Sequence, residues 1–387
     1  MNNYLTSESV CQGHPDKLCD YIADSILDAC LNIDPYARVA CEVMATRGKV
    51  IVAGEITSSR RINVRDTVRD ALRESGYDPK GFTISVFLHT QSTDIADGVD
   101  SALETRGSDN GGDELGAGDQ GTVYGFATDE TPTYIPLPLE LSHRICRLLD
   151  ESRKNGSILG IHSDGKAQVS VGYEDGKPAK IAAIIVSIQH DRDKNLDTLR
   201  KEITKEVLQP AFCDFPYDAH TQILINPSGR FVEGGPGADT GLTGRKIMVD
   251  TYGGLALHGG GAFSGKDPTK MDRSGAYMAR LIAKNIVAAK LAKRCGVAIS
   301  YAIGKADPVA VDVHTFSTGT VSDEKLAEAV TKAFNLRPKA IIEQLGLRNP
   351  IYSLTSCYGH FGNALFAWEQ ATEQYAEAIK GELEHDN

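Results

Sequence analysis

Residues 38–57, RVACEVMATRGKVIVAGEIT, alternate apolar and polar side chains on both sides of Arg47-Gly48-Lys49. Period-two alternation buries one face of each run, and a glycine turn between the runs makes them a hairpin, RVACEVMA against VIVAGEIT. Two acids, Glu42 and Glu55, interrupt the apolar strands. A carboxylate so placed either faces outward or is held by a cation or a ligand amine. Upstream, DKLCDYIADSILDACL sets Leu18, Ile22, Ile26 and Ala29 on one face at helical spacing. Asp16, Asp20, Asp24 and Asp28 recur every fourth residue on the other face, a pattern that predicts a solvated, strongly negative side. Asp16 is set apart by Gly13-His14-Pro15-Asp16-Lys17, where proline starts the helix and holds a histidine close to a carboxylate. A helix over 62–75 and a strand over 82–89 complete the first unit.

The same order recurs. Residues 138–152 read as a helix, 167–189 as a hairpin turning at Asp175-Gly176, 196–207 as a helix and 221–225 as a strand. A third copy has a helix over 272–294, a hairpin over 297–316, a helix over 322–334 and a short last segment over 352–361. Hairpins starting at residues 38, 167 and 297 imply an α/β chain of the α+β type. Its three similar units are related by pseudo-threefold repetition, each a mixed sheet with helices on one face. The expected boundaries are 1–100, 119–232 and 233–387, with a lid over 91–118.

Composition bounds the function. The chain has 387 residues, 41% of them hydrophobic and 24% charged, with a formal net charge of −11. That is ordinary for a water-soluble protein of two or three domains, and no apolar run approaches the ~18 residues of a membrane span. The acidic balance argues against nucleic-acid binding. Eight cysteines include no C-x-x-C pair, so neither a zinc site nor a redox motif is expected and all eight read as reduced. MNNYLTSESVCQGHPDK has neither a basic start nor an apolar core, so the expected compartment is the cytoplasm.

Chemistry concentrates between Gly229 and Arg273, GRFVEGGPGADTGLTGRKIMVDTYGGLALHGGGAFSGKDPTKMDR, which holds twelve of the 38 glycines. Arg230, Arg245, Lys246, Lys266, Lys270 and Arg273 stand among them. Cations interleaved with glycine suit a polyphosphate, which fixed charges and backbone N–H groups reach together. Gly260, Gly265 and Lys266 match G-x-x-x-x-G-K, but Asp267 cannot supply the hydroxyl that a P-loop places on magnesium. A P-loop-like kinase or ATPase is therefore the alternative reading, and a non-catalytic nucleotide-binding module a second. Residues 91–118 are polar and rich in glycine and aspartate, which marks a lid. Within and just after them, Gly116 to Gly121 match G-x-G-x-x-G, but no strand precedes and no helix follows, so the dinucleotide fingerprint is rejected.

GHPDK at Gly13, GAGDQG at Gly116 and GGGAFSGKD at Gly259 resemble the signatures of the S-adenosylmethionine synthetase family. ARVACE, GEIT, INPSGRF, GLTGRK, DPTKMDRS and YGHFG match in order, so the resemblance runs nearly end to end. Cys11-Gln12 departs from the family's usual Ser-Glu, and the lid carries a glycine-rich insertion around Gly107–Gly112. The resemblance implies that methionine sulfur attacks C5′ of ATP and that the released triphosphate is cleaved to pyrophosphate and phosphate. It implies two Mg2+ per site on Asp16 and Asp272, and one K+ per subunit on Glu42. His14, Lys166, Arg245, Lys246 and Lys266 would surround the triphosphate, with His14 nearest the departing oxygen. Asp164, Gly165, Arg230, Phe231, Asp239 and Ala262 would join them in holding ATP. Glu55, Gln91, Asp119, Asp239 and Lys270 would form the methionine side. A homo-oligomer, dimer or dimer of dimers, with sites shared between chains is also implied.

Overall fold

The computed structural model describes residues 3–92, 102–105 and 114–385. Its first unit runs β1 (Asn3–Val10), α1 (Pro15–Ile33), the hairpin β2 (Arg38–Thr46) and β3 (Lys49–Thr57), α2 (Val64–Glu74) and β4 (Thr83–His89). The second runs β5 (Gly121–Thr128), α3 (Leu137–Asn155), β6 (Ile161–Glu174), β7 (Lys177–His190), α4 (Leu196–Ile203) and β8 (Gln222–Ile225). The third runs β9 (Gly241–Leu242), α5 (Met271–Ala288), β10 (Arg294–Tyr301), β11 (Ala310–His314) and α6 (Asp323–Ala333), then α7 (Pro338–Gln344) and α8 (Glu373–His385). All three hairpins form where alternation places them. The closing strand is missing from the third copy, where Ser353–Thr355 make a short 3-10 turn.

The strand ahead of each long helix does not stay in its own unit. β1 pairs antiparallel with β6, β5 with β10, and β9 with β2. The sheets therefore read β1-β6-β7-β8, β5-β10-β11 and β9-β2-β3-β4, with β8 and β4 running parallel to their hairpin neighbours. One long helix buries each sheet: Leu18, Ile22 and Ile26 of α1 against Val39, Cys41 and Val50. Leu141, Ile145 and Leu149 of α3 do the same with Val169 and Ile184, and Leu281, Ile282 and Ile286 of α5 with Val123 and Ile299. Burying one such aliphatic side chain contributes roughly 1.5–3 kcal/mol, so these faces fix the three layers.

The acidic face of α1 corrects the sequence expectation. Asp16, Asp20, Asp24 and Asp28 are 3%, 0%, 0% and 9% exposed. Each carboxylate accepts backbone N–H groups from a segment laid across the helix: Leu242 on Asp16 (3.0 Å), Gly244 on Asp20 (2.8 Å) and Gly265 on Asp24 (2.8 Å). Tyr352 and Ser353 donate to Asp28 at 2.9 and 2.8 Å. One acid per turn gives a row of acceptors, and N–H donors with no helix or sheet partner of their own satisfy it; burial pushes the Asp20 carboxyl up to about 7 and raises that of Asp28. Lys17, buried in the same row, bonds Asp20 at 3.0 Å and also Asp250. The eight cysteines form no disulfide.

Candidate active site

The traded strand β1 places the first group of side chains. Its ladder with β6 ends at Val10 opposite Lys166 and continues through Cys11 N–H to the Gly165 carbonyl (2.9 Å) and Gly13 N–H to that of Ser163 (3.2 Å). His14 and Asp16 thereby meet Asp164, Gly165 and Lys166. A Cβ on Gly165 would come within 2.7 Å of Ile188 Cδ1 and 3.0 Å of the Cys11 sulfur and the Ser187 carbonyl, so a larger residue here would push its neighbours aside.

His14 caps α1, accepting the Asp16 N–H on Nδ1 at 3.2 Å. Burial, then the Lys246 and Lys166 charges, push its pKa down to about 3. The ring is therefore neutral with its proton on Nε2, a hydrogen-bond donor. Burial alone would raise the Asp16 carboxyl, but Lys246 Nζ at 2.6 Å and the Leu242 N–H hold it below its usual range. Arg245 lies 3.7 Å from the same carboxylate. Asp164 accepts the Gly235 N–H at 2.7 Å, and burial raises its carboxyl. Asp239 stands exposed within the electrostatic reach of Asp164. Beyond them, Phe231 pairs its backbone with His190, donating to Nε2 at 3.1 Å and accepting the His190 N–H at 2.9 Å. Phe231 is half-buried, and Arg230 is exposed and donates to the Arg192 carbonyl.

The second group lines a cleft of about 310 Å³ at the start of α5: Glu55, Gln91, Asp119, Lys266, Lys270 and Asp272. Lys266 Nζ bonds Asp272 Oδ2 at 2.7 Å, and Lys270 bonds the buried Asp267 at 2.6 Å. Glu55 faces His89 at 3.0 Å. The loop carrying Lys266 lies along β2, with Cys41 N–H on the Gly265 carbonyl (2.9 Å) and Asp267 N–H on that of Val39 (3.0 Å). Gly265 takes φ +80°, and the Cys41 carbonyl fills the place of a Cβ, so no other residue fits. Asp267 accepts the Val39 N–H at 2.7 Å and both donors of Thr269, which makes it a loop brace where a P-loop has its hydroxyl.

Glu42 is exposed on β2 within the field of Lys266. Half-buried Ala262 packs on Gly244, between the groups. Asp16 and Asp24, where the groups meet α1, are two turns apart, about 12 Å along the axis. Arg38, His89, Thr269 and Met271 also line the cleft: Arg38, Thr269 and Met271 sit in the ARVACE and DPTKMDRS segments, where nothing singles them out, and His89 has no sequence signal. Residues 93–101 and 106–113 of the expected lid lie outside the described residues; its flanks place Gln91 and Gly118 at the cleft, with Asp119 next in the chain. As expected, a strand, β5, follows Gly116–Gly121.

Among the described residues, no three His, Cys, Asp or Glu side chains gather as a metal cage. Asp16 and Asp272 each present a lone carboxylate beside a lysine, which fits a hard cation carried largely by phosphate oxygens and water. No described helix is long and apolar enough to cross a membrane.

Three family models match in succession. The S-adenosylmethionine synthetase N-terminal domain covers residues 2–97, the central domain 114–231 and the C-terminal domain 233–370. A Nocardioides sp. S-adenosylmethionine synthase is 51% identical over 97% of this chain and 98% of its own. The Thermus thermophilus protein of that name is 51% identical over 98% of each chain, and the Desulforudis audaxviator one 52% over 92% and 93%. With every unit matched in order and half the residues shared end to end, the chain belongs to the S-adenosylmethionine synthetase family.

Proposed function

We propose that this chain is a methionine adenosyltransferase that forms S-adenosylmethionine from ATP and methionine, and then cleaves the released triphosphate to pyrophosphate and phosphate. The observation that carries the mechanism is a buried, neutral His14 set among Lys166, Arg245 and Lys246. A thioether is already a nucleophile and needs no base. Negative charge develops instead on the departing triphosphate, where fixed cations and a hydrogen-bond donor stabilise it. His14 Nε2–H serves the leaving oxygen, and Lys166, Arg245, Lys246 and Lys266 take the phosphates. Asp164, Gly165, Arg230, Phe231, Asp239 and Ala262 hold the nucleotide. In the cleft, Glu55 and Asp119 suit the methionine ammonium, with Gln91 and Lys270 for its carboxylate; Asp239 is the remaining member of that set.

Asp16 and Asp272 would hold Mg2+ and Glu42 K+, which when bound neutralise phosphate charge. Lys246 and Lys266 bond those two carboxylates; a cation held there would leave both lysines to the phosphates. The two groups open about 12 Å apart along one helix, and neither is complete by itself. This supports a homo-oligomer, a dimer or dimer of dimers, in which one chain's cleft faces its partner's His14 group. The compartment in this reading is the cytoplasm.

Incubation with ATP, methionine, Mg2+ and K+ is expected to yield S-adenosylmethionine, phosphate and pyrophosphate without ADP. Methionine-dependent ADP formation, or tight ATP binding without turnover, would overturn the reading.

A further inference from the structure

We propose that Asp24 and Arg273, which touch no substrate in the reading above, are positioning residues that set the reach of Lys266 and Asp272 toward the triphosphate. The inference rests on that reading for the identity of the ligand.

Both side chains are 0% exposed. Arg273 Nη1 and Nη2 donate to the two oxygens of Asp24 at 2.8 and 2.9 Å, a planar fork on a carboxylate. Three further bonds go to the active loop. Arg273 donates to the Phe263 carbonyl at 3.0 Å and to the carbonyl of Lys266 itself at 3.2 Å. Asp24 also accepts the N–H of Gly265, the residue before Lys266, at 2.8 Å. Arg273 directly follows Asp272 in α5. The pair therefore grips residues 265–273 at both ends: by backbone bonds around Lys266, and by the peptide bond to Asp272. Thr355 Oγ1 and Tyr277 OH take the remaining guanidinium donors at 3.0 Å each, and the Tyr352 ring lies 4.2 Å beneath. With its donors filled, the guanidinium has no second arrangement open to it.

Buried arginine forks bond whatever carbonyls surround them; here those carbonyls are the ones that carry Lys266, so the fork fixes the backbone from which the ammonium reaches. A displacement of about 1 Å at a charge-stabilising group lowers rate by roughly a hundredfold, so the anchor matters as much as the ammonium it aims.

Asp24→Asn keeps an acceptor for Gly265 N–H and removes the charge that holds the fork; Arg273→Lys keeps the charge and removes the fork. Each variant is expected to lower kcat at least tenfold and to weaken binding of a P–N–P-bridged triphosphate, read by calorimetry with Mg2+, by a similar factor. The KM for methionine should stay within about twofold. Combined with Lys266→Ala, Asp24→Asn should add little further loss of triphosphate binding, because both changes remove one interaction. Losses that multiply in the double variant, or a fall in activity that tracks only the folded fraction, would overturn the proposal. If Asp24→Asn does not fold, Arg273→Lys enters the same cycle. A wild-type protein that binds the triphosphate but makes no S-adenosylmethionine would refute the function, while the binding cycle still decides the positioning.

Discussion

Lys246–Asp16 and Lys266–Asp272 sit at the rim of the site, whereas Arg273–Asp24 and Arg280–Glu369 are sealed inside. In the rim pairs a lysine meets one carboxylate oxygen, at 2.6 and 2.7 Å, with side chains 5–30% exposed. In the sealed pairs an arginine takes both oxygens with no exposure at all: Arg280 bonds Glu369 at 2.8 and 2.9 Å and adds the Phe126 and Thr133 carbonyls at 2.6 and 2.8 Å. A compact ammonium held at one point can exchange its partner for a phosphate at little cost. A saturated fork cannot. The molecule places lysine where charge must be handed over and arginine where geometry must not change.

The sharpest way to break this contrast is Glu369→Ala. It strands Arg280 and Lys284, which bonds the same carboxylate at 2.8 Å, as unpaired buried cations. Loss of one partner of a buried pair costs about 3–5 kcal/mol, so denaturant unfolding should show a fall of that order. A change below about 1 kcal/mol would mean that the sealed pairs are no different from the rim pairs. Lys266→Ala tests the other side: kcat should fall ten- to a hundredfold or more, matching a charge-assisted hydrogen bond of about 1.5–3 kcal/mol. Stability should change by less than about 1 kcal/mol, because Asp272 remains near solvent. Steady-state kinetics beside unfolding curves read both, and a rise in the KM for methionine with unchanged kcat would move Lys266 to the amino-acid side.

The last test concerns pH, and it reads a slope rather than a single loss. His14 and His143 are both pushed down to about 3, each chiefly by burial, with Lys246 and Lys166 adding for His14 and Arg147 and Lys17 for His143. An unfolded histidine takes up its proton near pH 6.5 and the folded one does not until about 3, so between these values the unfolded chain binds more protons. The contribution of these two histidines is therefore full above about pH 6.5 and falls as pH drops toward 3, by about 1.4 kcal/mol per pH unit for each. Because burial also lowers His360 and His258 and raises Asp20 to about 7, the last with opposite sign, the share is read by difference: in thermal unfolding from pH 7.5 to 5, His143→Gln should lose stability less steeply than the parent by that one share. An unchanged slope would return His143 to the ordinary solvated range.

Much of the fold was legible because the decisive signals are local. A hairpin announces itself within twenty residues, and all three did. Strand exchange was not legible: NYLTSESV of β1 and the two residues of β9 say nothing about which sheet will take them. The Asp20, Asp24 and Asp28 face misled for a related reason. A row of carboxylates reads the same whether water or backbone N–H groups more than 200 residues away will satisfy it. The motif residues of the site stood out through glycine, charge and resemblance. Their division into a His14 group and a Lys266 cleft did not, since it follows from β1 and β9 crossing between units. His89 lay on an ordinary strand and gave no sign, and Arg38 stood in a matching segment where only Glu42 drew attention.

Strand exchange also sets a timetable for synthesis. Each unit lends a strand to the next around a closed ring, so none can be cut out with its sheet whole. Val10 pairs beside Lys166, and Met44 waits for Leu242. At about 5–20 residues per second, a ribosome needs roughly 8–30 seconds to supply the first partner and 10–40 seconds for the second. Through that interval β2 has an open edge, the kind of surface on which chains join one another. The nascent chain is thus most exposed to aggregation while its first hairpin is already made, and shielding it until residue 242 emerges should raise the yield of folded protein.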